Sequence, residues 1–289
     1  MEKNQTPLQK KLSQPIQLPL LAKNIHILMQ ALADEDLNYQ QLADVIKHYP
    51  SITARLLFLA NSPWSAPIAP IINIEQACAR LGIAVVKSLS IAISVASTFD
   101  TRRCPLFSAV HFWTISMLVS EGAGLLATKL PSNLTNIELE HTAQTAGILH
   151  NLGLLWLVDN FPIETDQAFQ AITNDSSLLT INHLLRQCTG ADYCEIGGWV
   201  AKQMQLPEVL TVAMQHHLDD VYQESSWEVT LLVGAAANMA TALYKQDDEA
   251  PNCTRLELLG LDVSVQKQVF QKLSTNFEKT HELAKTLFT

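Results

Sequence analysis

Apolar residues recur along this chain at helical spacing. Ile25, Leu28, Met29 and Leu32 fall at i, i+3, i+4 and i+7, and Leu42, Val45, Ile46 and Tyr49 repeat the stripe. Helix starts are marked by a capping residue with a side chain three positions on that can reach back. Asn38 with Gln41, Asn73 with Gln76, Asp192 with Glu195 and Ser225 with Glu228 have that spacing. Pro207 suits the first turn of a helix, where its missing N–H costs nothing. Breaks fall at 13–19, at 61–70 with three prolines, at 100–105, at 131–136 and at 245–252. No alternating strand and no 20–50-residue repeat is visible.

These signals predict an all-α protein of two packed helical lobes, about 15–100 and 105–245, divided at 100–105. Residues 1–14 read as disordered or loosely packed. Residues 246–289 read as a helical appendage on one lobe. Within it, 262–289 form one amphipathic helix or a helix pair carrying Val265, Val269, Phe270, Leu273 and Phe277. Only 10 glycines in 289 residues, with no Asn-Gly or Asp-Gly, agree with helices rather than hairpins.

Charge narrows the class. With 19 Lys+Arg and 28 Asp+Glu the net charge is 19 − 28 = −9, and only 16% of residues are charged against 48% hydrophobic. That excludes a disordered chain. It also argues against a nucleic-acid binder, which needs clustered cations; Arg102-Arg103 is the sole adjacent arginine pair. No window holds the roughly 18 uninterrupted apolar residues of a membrane span. The richest stretches, 82–99 and 231–244, are broken by Lys87 and serines and by Asn238 and Thr241. A polar N-terminus without a signal core, and five irregularly spaced cysteines, predict a cytoplasmic protein with reduced thiols and no membrane insertion.

Chemistry rests on the histidines, because phosphate loops, nucleophile elbows and His-Glu-x-x-His are missing. His150 follows Ala146-Gly147-Ile148-Leu149, and His216-His217 precede Asp219-Asp220. Each reads either as a hydrogen-bonded core or helix-end histidine or as part of a site. The run His183, Cys188, Cys194 fits no common zinc spacing, so no metal or cofactor is expected.

Beside these residues stands a family resemblance. Tyr49-Pro50-Ser51-Ile52-Thr53-Ala54-Arg55-Leu56-Leu57-Phe58-Leu59-Ala60-Asn61-Ser62 is its most specific segment. Leu18-Pro19, Leu42-Ala43-Asp44-Val45-Ile46, Ile74-Glu75-Gln76-Ala77 and Arg80-Leu81-Gly82 flank it. Phe112-Trp113, His150-Asn151-Leu152-Gly153, Glu195-Ile196-Gly197, Leu206-Pro207 and His216-His217 follow in order. Over about 15–245 the chain resembles the HDOD family, the HD-related output domains of bacterial signalling proteins. Tyr49 departs from the family's usual Asp before the proline.

The resemblance implies an HD-like second lobe and a test of its metal site. HD phosphohydrolases use a first His, a His-Asp doublet, further histidines and a late Asp. Here those positions fall on Ile115, on His150-Asn151, near Tyr193, on His216-His217 and on Asn238. Two carboxylates are thereby amides and one imidazole is an alkyl chain. The expectation is a non-catalytic signalling output or adaptor protein that binds a partner protein through helical surfaces. Trp64, in the Pro-rich loop, is read as a partner anchor or as tucked between the lobes. Arg55 is read as a partner contact or as a bridge to an acid of the second lobe. Two alternatives stand beside this: a divergent phosphohydrolase recruiting Asp159, Asp192 or Glu195, and a sensor holding a nucleotide second messenger without cleaving it.

Overall fold

A computed structural model describes residues 27–28, 31–32, 37–131, 134, 137–172 and 177–288. Leu28 and Leu32 are buried; Ile25, Met29, Leu18-Pro19, the break at 13–19 and residues 1–14 lie outside the described set. Thirteen α-helices and no strand occur among the described residues.

The first lobe holds α1 (Tyr39–Ile46), α2 (Pro50–Ala60), α3 (Ile74–Leu81) and α4 (Ile83–Ala96). Asn38 and Gln41 form the expected capping box, and Asn73 accepts from the Gln76 amide. Tyr49 lies beyond α1 and stands at the N-cap of α2, where Pro50 opens the first turn. Between α3 and α4 the axis bends by 112°. Gly82 makes the corner at φ +88°, a conformation that costs glycine little.

The second lobe is built around α5 (Ala109–Thr128), which is apolar on nearly every side. It has the length and hydropathy of a membrane span, but 72% of its apolar window is buried inside the protein. It lies against α6 (Ile137–Leu149) and α12 (Trp227–Tyr244). Around them lie α7 (Leu152–Asn160), α8 (Pro162–Gln170), α9 (Leu178–Thr189), α10 (Tyr193–Gln203) and α11 (Glu208–His216). Each fully buried leucine, such as Leu118 and Leu126 on α5, contributes roughly 1.5–3 kcal/mol.

Two start signals need correction. Pro207 sits at the N-cap of α11 rather than within its first turn. The Ser225–Glu228 box does not form: α12 starts at Trp227, after Ser226 in a left-handed conformation at φ +57° with no side-chain cap. By contrast Asp192 and Glu195 do form a capping box on α10.

The last helix, α13 (Val263–Phe288), is single and unbroken. The sequence seats it on one lobe, but it runs along α5 and also reaches α2. Arg55 Nη1 donates to the Leu287 carbonyl at 2.9 Å, so its acceptor is main chain of α13 and not an acid of the second lobe. Trp64 Nε1 donates to the Lys279 carbonyl at 2.9 Å, and the Lys279 ammonium lies 4.6 Å from the indole centroid. Trp113 stacks on Phe288 with centroids 4.6 Å apart. A helix that grips both lobes in this way ties them together.

Candidate functional site

The elbow between α6 and α7 carries His150 and Asn151. It is drawn against α10 because Gly153 leaves room for the backbone of Tyr193 and Gly197; a Cβ there would overlap both. This close approach sets Tyr193 beside the elbow. A cavity of about 460 Å³ opens in front of them, lined by Ile115, His150, Asn151 and Tyr193, with apolar walls from Phe112, Leu154 and Ile181.

Hydrogen bonds fix the imidazoles. His150 Nδ1 lies 2.7 Å from the Gly147 carbonyl. His217 Nδ1 lies 3.1 Å from the Ala213 carbonyl and 3.2 Å from that of Met214. A carbonyl only accepts, so Nδ1 carries the proton in both rings and Nε2 keeps its lone pair. The rings meet edge to face, centroids 5.1 Å apart at 89°. Burial lowers His150 to about 3, with the neighbouring His217 acting in the same direction. Burial likewise lowers His217 to about 4. Both are neutral imidazoles at physiological pH.

The other polar atoms are engaged. Tyr193 Oη lies 3.4 Å from His217 Nε2; burial raises its pKa well above the usual value, so the phenol keeps its proton and is the donor. Ser116 Oγ, on α5, has one proton and two acceptors in reach, the Phe112 carbonyl at 2.8 Å and Asn151 Oδ1 at 3.1 Å, and shares it between them. His150 Nε2 and Asn151 Nδ2 make no hydrogen bond among the described residues and line the cavity, as do the ring nitrogens of His111, which stacks on Tyr244.

Not every expected position converges here. His216 and Asn238 line a different, smaller cavity of about 120 Å³, which His217 also borders. His216 stacks on Tyr222 with centroids 4.2 Å apart. On α12 it is Thr241, three residues beyond Asn238, that faces the larger cavity, and on α5 His111 joins Ile115. The sequence reading missed both. Helical spacing held the signal, since i, i+3 and i, i+4 residues share a face.

A metal centre does not fit this donor set. Ile115 has no donor atom, Asn151 Oδ1 is turned to Ser116, and His217 Nε2 faces Tyr193. Amide oxygens bring no charge to balance a divalent cation. Among the described residues no group of three His, Cys, Asp or Glu is arranged to hold a metal ion. The acids that a divergent enzyme could recruit are placed elsewhere. Asp192 and Glu195 pair with Arg186 at the start of α10. Asp159 is eight residues beyond Asn151 on α7, about 12 Å along the axis.

The helical architecture around this pocket is that of an HD-like helical protein. The HDOD domain family matches residues 18–220, and the chain belongs to that family. No curated protein matches it. Among solved structures it resembles a Marinobacter aquaeolei VT8 protein provisionally named for signal transduction. That match has TM-score 0.79 and 19% identity, covering 99% of this chain and 62% of the other. The chain thus spans about 62% of that neighbour's length. It also resembles a Geobacter sulfurreducens HDOD domain protein of unknown function (TM-score 0.72, 18% identity, 98% and 97% covered). A third neighbour is a Shewanella amazonensis SB2B protein provisionally named a phosphohydrolase (TM-score 0.70, 23% identity, 98% and 99% covered). At these identities the likeness establishes the fold.

Proposed function

We propose that this chain is a non-catalytic output or adaptor protein of a cytoplasmic signalling pathway, engaging a partner protein through helical surfaces. One observation carries the reading: at the positions where a phosphohydrolase would hold metal, there is no carboxylate, and the Asn151 oxygen and the His217 Nε2 are turned to neighbouring side chains. Asn151 accepts from Ser116, and Tyr193 stands against His217. Metal-assisted hydrolysis needs a cation that lowers the pKa of a bound water, and this donor set offers no carboxylate to retain one.

Partner contact is assigned to the first lobe. Phe58 on α2 is 61% exposed, and Ile68 and Ile72 in the following loop stand in solvent. Trp64 is half-buried under α13, so its ring serves the junction with that helix more than a free surface. The test is capture of partners from the native cell with wild type and with Phe58→Asp and Ile72→Asp, alongside turnover assays on phosphodiesters with added Mn²⁺. The reading expects a defined signalling protein retained by wild type, lost with the variants, and no turnover. Turnover that disappears in His150→Ala would refute it.

A further inference from the structure

The larger cavity has features that the adaptor reading leaves unused. Its volume, about 460 Å³, is that of a small-molecule site. Its walls are mainly apolar, from Phe107, Phe112, Leu154, Phe169, Ile172 and Ile181. At its inner end sit two unspent polar atoms on side chains that are at least nine-tenths buried: His150 is 1% exposed and Asn151 is 6% exposed. His150 Nε2 offers a lone pair, because Nδ1–H is bound to the Gly147 carbonyl. Asn151 Nδ2 offers a donor, because Oδ1 is bound to Ser116. Both residues line the cavity, so a ligand that meets both atoms would take the place of water there without leaving either unpaired.

We propose that this cavity binds an uncharged, largely apolar small molecule whose polar head donates to His150 Nε2 and accepts from Asn151 Nδ2. A primary amide, a lactam or an undissociated carboxylic acid has that pairing; an alkyl or aryl body fills the apolar walls. A carboxylate anion lacks the donor and would set its charge against a ring lone pair. A nucleotide polyphosphate is disfavoured further: the exposed Lys245 is the one Lys or Arg among the described lining residues. The proposal shares the non-catalytic reading of this site, but it concerns an input to the protein rather than its partner.

The test uses the full chain and the fluorescent probe N-phenyl-1-naphthylamine, displaced in turn by octanamide, octanoate and ADP at neutral pH. One equivalent of probe should bind, octanamide should displace it at least about tenfold more effectively than octanoate, and ADP should not displace it. Leu154→Trp, which fills the cavity from α7, should abolish probe binding while keeping the thermal transition. Should that variant fail to fold, Ile181→Trp fills the same space from α9. Probe binding unchanged in a folded filled variant, octanoate or ADP competing as well as octanamide, or no probe and no octanamide binding at all would overturn the proposal. Partner capture is read separately, so failure here and failure of the adaptor reading are distinguishable.

Discussion

His150 and His217 meet edge to face with ring centroids 5.1 Å apart, each holding its Nδ1 proton on a main-chain carbonyl. In a metal protein such a second bond orients the ligating nitrogen. Here the side chains beside the pair at the larger cavity are the alkyl chain of Ile115, the Asn151 amide and the Tyr193 phenol, none of them charged. The pair is therefore a neutral, buried element of the core with one exposed chemical opportunity, His150 Nε2.

That neutrality has a pH signature. The unfolded imidazoles take up protons near pH 6.5, whereas the folded ones do so only near about 3 for His150 and about 4 for His217. Between those values the unfolded chain binds more protons, so stability falls as pH drops below 6.5. Burial lowers His111 to about 4 as well, so three such groups give a slope of up to about 4 kcal/mol per pH unit. Urea denaturation at pH 7.5, 6 and 5 should show it, and His217→Gln should remove about a third of the slope. The same slope in wild type and variant between pH 6.5 and 5 would contradict the burial argument.

Gly153 and Gly82 should respond differently to alanine. At Gly153 the added methyl meets the Tyr193 carbonyl and the Gly197 backbone, so α7 and α10 must part. That should cost about 3 kcal/mol or more. At Gly82 nothing lies within 4 Å of the new methyl, and the backbone at φ +88°, ψ 149°, which only glycine adopts readily, is the sole penalty, about 1–3 kcal/mol. Thermal or urea denaturation of the two variants ranks them; equal losses would mean that the close approach at Gly153 is not tight.

The terminal helix should loosen from its far end when its ties are cut. Arg55→Ala removes a donor from the Leu287 carbonyl, and Trp64→Ala removes both the bond to the Lys279 carbonyl and the surface under the Lys279 ammonium. Arg55 is exposed, so its loss should cost no more than about 1 kcal/mol globally, whereas half-buried Trp64, packed against the core, should cost about 1–3 kcal/mol. The local effect should be larger. Hydrogen exchange over 279–288 should quicken in the double variant while α5 stays protected. Unchanged exchange there would show that Trp113 and its stack on Phe288 suffice to hold the helix.

Much of the helical layout was legible, because caps and stripes act locally. Asn38, Asn73 and Asp192 each cap as their spacing implies, and Gly82 marks its corner. What failed was rotation about helices that are apolar all round. On α5 and α12 no polar stripe tells one face from another, so Asn238 was set in the pocket where Thr241 belongs, and His111 was passed over. The two-lobed grip of α13 was hidden for a different reason. Its ties run from Arg55 and Trp64 to main-chain carbonyls, and any residue supplies a carbonyl. The sequence shows an uncharged amide after His150, but the bond between Asn151 and Ser116 required the packing of α5 on the elbow.

A pocket without a working metal centre should take up no cation. The most direct measurement is calorimetric titration of the chelator-stripped full chain with Mn²⁺, followed by turnover of bis(p-nitrophenyl) phosphate in the same sample. No stoichiometric uptake of the cation and no turnover above buffer are expected. One equivalent or more of tightly held Mn²⁺, with hydrolysis that vanishes in His150→Ala, would contradict it.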